Sequence, residues 1–205
     1  MVLNEFNINA ATQNYLGNTA IVDSMDENYK NLFLSATRDK NSSSIKQYVT
    51  LYIPDYRSFE KKHGADGYDP KTGRLKEVKP ICVNGTKSRT SGNFNDMTLE
   101  LLEKKKDYDL ICSLFSQDDA SINDRLIYIV EFPLMVIYEH LKIPIVNPTI
   151  GRRVKCHFGY KNYDTDDLIV HYFDSATAKK HGCLTDPHFK MLEKRNINDC
   201  KVYIS

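Results

Sequence analysis

The chain has 205 residues, 41% of them hydrophobic, with 28 Lys and Arg against 27 Asp and Glu. That is enough to bury a core and fits one domain, expected over residues 1–205 with its core at about 46–175 and an N-terminal arm at 1–45. A net charge of +1 by itself gives little support to binding a polyanion such as nucleic acid, and no apolar run approaches the 18 residues of a membrane-spanning helix.

The N-terminus, MVLNEFNINAATQNYLGNTA, has neither a basic start nor a long apolar segment, so a signal peptide is not expected. Five cysteines, Cys82, Cys112, Cys156, Cys183 and Cys200, show no Cys-x-x-Cys spacing. An odd, scattered set reads as reduced thiols of a cytoplasmic protein, and His157 beside Cys156 reads as part of a strand rather than a ligand pair.

In chain order, residues 1–45 are rich in Asn, Ser and Asp, with a short helix expected at 26–36 and a soft linker at 39–44. Residues 46–53, KQYVTLYI, read as a strand and 54–62 as a helical turn. The next stretch, HGADGYDPKTGRLKEVKP, holds a strong turn signal. Asp69 offers an acceptor side chain, Pro70 presets φ, and Gly73 suits a left-handed closing residue. Its flanks, 65–68 and 74–83, then form an antiparallel hairpin, with the preceding strand completing a three-stranded sheet.

Side chains alternate along a strand, so Leu75, Glu77 and Lys79 share one face while Arg74, Lys76 and Val78 take the other. By itself Glu-x-Lys suits any exposed sheet face. The hairpin adds Asp66, eleven residues before Glu77, folding back toward the same end of the sheet.

Asp, a hairpin turn and Glu-x-Lys on the next strand resemble the core of the PD-(D/E)xK nucleases, which include many type II restriction endonucleases. The resemblance covers about residues 60–110 and implies a restriction-endonuclease-like core. It implies Asp66, Glu77 and Lys79 as catalytic residues, and a metal held by Asp66, Glu77 and the Val78 backbone carbonyl. In that family the first Asp often follows Pro, whereas Asp66 follows Ala65, so Asp69 remains the alternative ligand. Asp66 is preferred because Asp69 is better placed to cap the turn.

The chemistry accounts for these residue types independently. Phosphodiester hydrolysis calls for a hard cation such as Mg²⁺, which carboxylates hold and which offsets phosphorane charge and acidifies a water. A lysine beside the attacked phosphate stabilises charge and orients the water. From residue 60 to 90, eight cations (Lys61, Lys62, Lys71, Arg74, Lys76, Lys79, Lys87 and Arg89) face four acids, a local excess where a phosphate backbone would lie.

Beyond the Glu-x-Lys strand, a polar Gly- and Ser-containing loop leads to a helix ending near Lys106, capped by Asn95 or Asp96, with Met97, Leu101 and Leu102 as its apolar stripe. Lys87, Arg89 and Ser91 are candidate phosphate contacts, and Asn93 and Asn95 candidate readers of an adenine edge. Residues 109–115 and 125–132 are apolar enough for adjacent central strands. Glu131 is set aside from the catalytic set, because no spacing makes its neighbours converge. A helix is expected from 134 to 141, then an extended passage forced by Pro144 and Pro148. Strands follow at 153–160 and 168–173, then a helix at 187–195 and a strand at 200–204. Arg152 and Arg153 are the second basic pair expected on DNA.

The expected fold is α/β or α+β, a central mixed sheet with helices beside it. The expected function is Mg²⁺-dependent, sequence-specific cleavage of double-stranded DNA by a homodimeric type II restriction endonuclease. A structure-selective or repair nuclease and a non-catalytic nucleic-acid-binding protein are the alternatives.

Overall fold

The computed structural model describes residues 44–59, 64–84, 91–117, 124–148, 154–180 and 187–199. The expected helix at 26–36, linker residues 39–43 and the strand at 200–204 lie outside these, as do Lys87, Arg89, Arg152 and Arg153. The fold is α/β: a mixed, six-stranded sheet flanked by helices, in the order β1 (Arg57–Ser58), β2 (Gly67–Tyr68), β3 (Leu75–Asn84), β5 (Asp109–Gln117), β6 (Asp124–Pro133) and β8 (Ile169–Phe173), with β4 (Ser91–Asn95) and β7 (Lys155–Gly159) forming a separate two-stranded ribbon.

Helix α1, Ser44–Tyr52, occupies the segment expected as a strand. Its Val and Thr content reads as β, but Lys46, Val49 and Thr50 are buried at helical spacing, and packing against the sheet overrides propensity. The Thr50 hydroxyl donates to the Lys46 carbonyl at 2.6 Å and shares a 2.6 Å bond with the Ser113 hydroxyl. Asp55 ends the helix in a left-handed conformation, φ 65°, while the Tyr56 N–H donates to the Leu51 carbonyl. The expected helical turn after residue 54 is therefore a helix cap followed by strand β1, Arg57–Ser58.

Strands β2, Gly67–Tyr68, and β3, Leu75–Asn84, form the expected hairpin, and β1 pairs antiparallel with β2 to give three strands. The turn works as its residues suggest. Asp69 Oδ1 accepts from the Lys71 N–H at 2.8 Å, Asp69 Oδ2 accepts from the Thr72 hydroxyl at 2.7 Å, and Gly73 takes φ 73°. Gly67 is demanded by close approach, since a Cβ there would lie 2.4 Å from the Arg57 carbonyl oxygen and 2.8 Å from Leu51 Cδ1.

From β3 the chain crosses through β4, Ser91–Asn95, and α2, Leu99–Lys105, to β5, Asp109–Gln117, which runs parallel to β3. The polar segment expected as a loop is thus partly a strand. The cap of α2 is Thr98 rather than Asn95 or Asp96: its hydroxyl accepts from the Leu101 N–H at 3.1 Å. Met97 and Leu102 are buried, but Leu101 is exposed, and the second inward residue of α2 is Lys105.

Strand β6, Asp124–Pro133, pairs antiparallel with β5, so the two apolar runs are adjacent strands as expected. A 3₁₀ turn, Leu134–Ile137, leads to α3, Tyr138–Val146. Pro144 lies inside α3 instead of in an extended passage, because in the last turn a missing N–H removes only one helical bond. Strand β7, Lys155–Gly159, pairs with β4; α4, Tyr160–Tyr163, precedes β8, Ile169–Phe173, which pairs with β6. Helices α5, Ser175–Lys180, and α6, Pro187–Asp199, follow, the latter with Pro at its first position. No helix among the described residues is long and apolar enough to cross a membrane.

Two cores flank the sheet. Against one face, Val49 and Leu51 of α1 pack on Val78, Ile111, Phe115, Leu126 and Ile129. Against the other, Leu110, Cys112, Leu114, Tyr128, Val130 and Phe132 meet Leu102, Leu141, Phe94, Phe158, Tyr163 and Phe189. The first core ends in charges: the Lys76 ammonium, 2% exposed, lies 2.7 Å from both Asp109 Oδ2 and Glu131 Oε1, and 4.3 Å from the Tyr56 ring centre. Glu131 Oε2 in turn accepts from the Tyr56 hydroxyl at 2.7 Å and lies 2.6 Å from His171 Nε2. Burial pushes the Glu131 carboxyl up, but His171 and Lys76 outweigh it and lower it to about 2. Replacing Lys76 by Met removes the buried ammonium that Asp109 and Glu131 share, leaving Asp109 with Arg74 and Glu131 with Tyr56 and His171, and a loss of about 3–5 kcal/mol in urea unfolding is expected. A change under about 1 kcal/mol would contradict this account of the network.

Candidate active site

Alternation along β3 sends Lys76 into the α1 side and Glu77 and Lys79 to the α2 side, as the sequence implies. The β2–β3 register pairs Gly67 with Lys76, and the Asp66 N–H donates to the Lys76 carbonyl at 2.9 Å. One further step sets Asp66 opposite Glu77. The Asp66 carboxylate is fixed there by the Val78 N–H, which donates to Oδ2 at 2.7 Å. Asp69, by contrast, spends both carboxylate oxygens on its own turn.

Glu77 is 8% exposed and paired on both oxygens. Lys79 Nζ donates to Oε1 at 2.6 Å, and Lys105 Nζ, from the last turn of α2, donates to Oε2. Lys105 also donates to the Gly64 carbonyl at 3.1 Å. Lys79 is the more open of the two, 22% exposed against 8%, and its ammonium rests 4.3 Å above the Phe94 ring of β4.

The two carboxyls are shifted in opposite directions. Burial raises the Asp66 carboxyl, the nearby Glu77 charge raises it further, and the Val78 N–H, Lys79 and Lys105 compensate only partly. Burial also pushes Glu77 up, but Lys79 and Lys105 more than cancel this and hold it below its ordinary value. Adjacent carboxyls with opposed shifts are a common feature of sites that move protons or bind cations.

Two carboxylates suit Mg²⁺, which favours oxygen ligands and commonly takes one or two carboxylates while keeping several waters. Among the described residues no group of three or more His, Cys, Asp and Glu side chains is arranged to hold a metal. Among the described residues, Asp66, Glu77 and a backbone oxygen such as that of Val78 would be the contribution, and the donor chemistry fits.

Around this point, Asn93 and Asn95 are exposed on the outer face of β4, where alternation buries Phe94 between them. Their pairing partners on β7 are His157 and Lys155, also exposed. Ser91 begins the same strand. Sequence reading missed Lys105, whose only signal was its position three residues after Leu102 on one helix face. It also missed the Lys76, Asp109, Glu131 and His171 network, because those residues lie on four different strands.

No protein-family model matches the chain, and no curated protein is significantly similar to it. What the fold and site define is a class: an α/β protein whose core is broadly consistent with nuclease-like folds without being diagnostic of one.

Because Glu77 is held below its ordinary value of 4.5, its ionic contribution to stability is fully present above that value and is lost as pH falls through the lowered one. The stability advantage of the native chain over Glu77→Gln, followed by urea unfolding without metal, is expected to narrow across that acidic window. A pH-independent difference would show that the ion pairs do not set it.

Proposed function

We propose that the chain is a Mg²⁺-dependent deoxyribonuclease that hydrolyses double-stranded DNA at a specific sequence, a type II restriction endonuclease working as a homodimer. The observation that supports this most is the pinning of Asp66 by the Val78 N–H opposite Glu77, with Lys79 on the same strand face. Chance assembly of an exposed Glu-x-Lys face would bury neither Glu77 nor a carboxylate opposite it.

In this reading Asp66 and Glu77 would hold the cation, which would supply Lewis-acid stabilisation of the phosphoryl oxygens and a more acidic water. Lys79, partly exposed and bonded to Glu77 Oε1, would release that oxygen and turn its ammonium toward the attacked phosphate. Charge grows there only as the new bond forms, so a pre-positioned ammonium favours the transition state over the ground state. The exposed face of the β4–β7 ribbon supplies Asn93 and Asn95 for base edges, and a two-stranded ribbon is narrow enough for the major groove. Lys87, Arg89, Ser91, Arg152 and Arg153 are assigned to phosphates.

Incubation with long duplex DNA of known sequence, with and without Mg²⁺, is expected to give discrete fragments only with the metal. Asp66→Ala and Glu77→Ala should abolish cutting with the fold retained. Normal cutting by Asp66→Ala would dismiss that ligand, and binding without cutting would favour a non-catalytic nucleic-acid-binding protein. For Lys79→Ala, single-turnover cleavage is expected to fall by about a hundredfold or more, about 3 kcal/mol, while duplex affinity in Ca²⁺ falls far less. Equal losses in binding and cleavage would make Lys79 a phosphate anchor instead.

A further inference from the structure

Lys105 is the element of the site that the Asp and Glu-x-Lys pattern does not contain. Its side chain is buried, it approaches Glu77 from a helix rather than from the sheet, and its ammonium is anchored twice, on Glu77 Oε2 and on the Gly64 carbonyl. Two carboxylates, Asp66 and Glu77, thus face two ammonium groups, Lys79 and Lys105, and the charges cancel when Asp66 is ionised.

We infer that Lys105 is a resident counter-cation that competes with the divalent metal for Glu77 and so holds the site's metal affinity down. This rests on the metal-binding reading of Asp66 and Glu77. A dication arriving at Glu77 meets two positive charges already in contact with it, in a buried place where solvent screens poorly. Lys79 can withdraw, being partly exposed and held by Oε1 and the Phe94 ring with no backbone anchor among the described residues. Lys105 cannot withdraw without also giving up the Gly64 carbonyl and exposing a helix face that is packed inward. Glu77 is therefore shared: Oε2 stays with Lys105 as a positioning contact, and Oε1 is the oxygen released for the metal.

The sign of the effect separates this role from a structural one. Damage to a site weakens its ligand, whereas removal of a competing charge tightens it. Mn²⁺ binding, measured by electron paramagnetic resonance on the DNA-free chain, is the readout. Lys105→Met and Lys105→Gln are expected to bind Mn²⁺ about tenfold or more tightly than the native chain, while Lys105→Arg, which keeps the charge, stays close to native.

Glu77→Gln serves as the control. If the native chain binds Mn²⁺ through Glu77 and the neutral Lys105 variants bind no more tightly, the role given to Lys105 is wrong and the metal reading stands. If the native chain binds no Mn²⁺, or binds it equally well as Glu77→Gln, both fall together. Should the neutral variants fail to fold alone, millimolar Mn²⁺ is expected to restore their circular dichroism by replacing the missing cation, and failure to do so overturns the inference.

Discussion

The ammonium of Lys76 is the constraint on which the rest of the structure depends. It joins β3 to Asp109 of β5 and Glu131 of β6, and Glu131 carries the connection on to His171 of β8 and to Tyr56 after α1. A buried ionic network of this kind adds little stability compared with apolar packing of the same volume. Its value lies in register. If β3 slipped by one residue, Glu77 would enter the pocket made by Asp109 and Glu131, and three carboxylates would share one buried space. A one-residue slip in either direction takes the cation out of that pocket, and the observed alignment also delivers Glu77 and Lys79 to the other face.

The two faces of β3 therefore hold opposite charge patterns back to back. On the α1 side a single cation is surrounded by carboxylates, with Arg74 adding a 2.6 Å contact to Asp109 from the rim. On the α2 side Glu77 is held between two cations, with Asp66 opposite it. The first arrangement is closed, since the space between Asp109 and Glu131 is filled by the Lys76 ammonium. The second is open on one flank, where Lys79 reaches solvent and Asp66 lies across the strand. This difference in access, more than any difference in residue type, is why the candidate site belongs on the α2 side.

Much of this was legible in the sequence wherever short-range chemistry decides. The Asp-Pro-Lys-Thr-Gly turn specifies its own hydrogen bonds, and strand alternation then fixes which side chains travel with Glu77. The β5 and β6 runs are apolar because both their faces are covered. Residues 46–53 went the other way: the alternation and β-branching read as a strand, and only contact with Ser113 and the Val78 core makes the segment helical. Lys105 and Lys76 were illegible for a related reason. A lysine is ordinarily a surface residue, and nothing within several positions of either one reveals the distant carboxylate that makes burial tolerable.

The crowding at Gly67 has a consequence for how the chain can vary. Every other amino acid carries a Cβ, and none fits between the Arg57 carbonyl and Leu51 without separating β1 and α1 from the hairpin. Because Gly67 follows Asp66 directly, that separation would carry the Asp66 carboxylate away from the Val78 N–H. The spacing between the two acidic side chains is thus guarded by steric exclusion at a residue with no functional group. A lineage of such chains could exchange most of its surface and still have no freedom at this one atom's width of backbone.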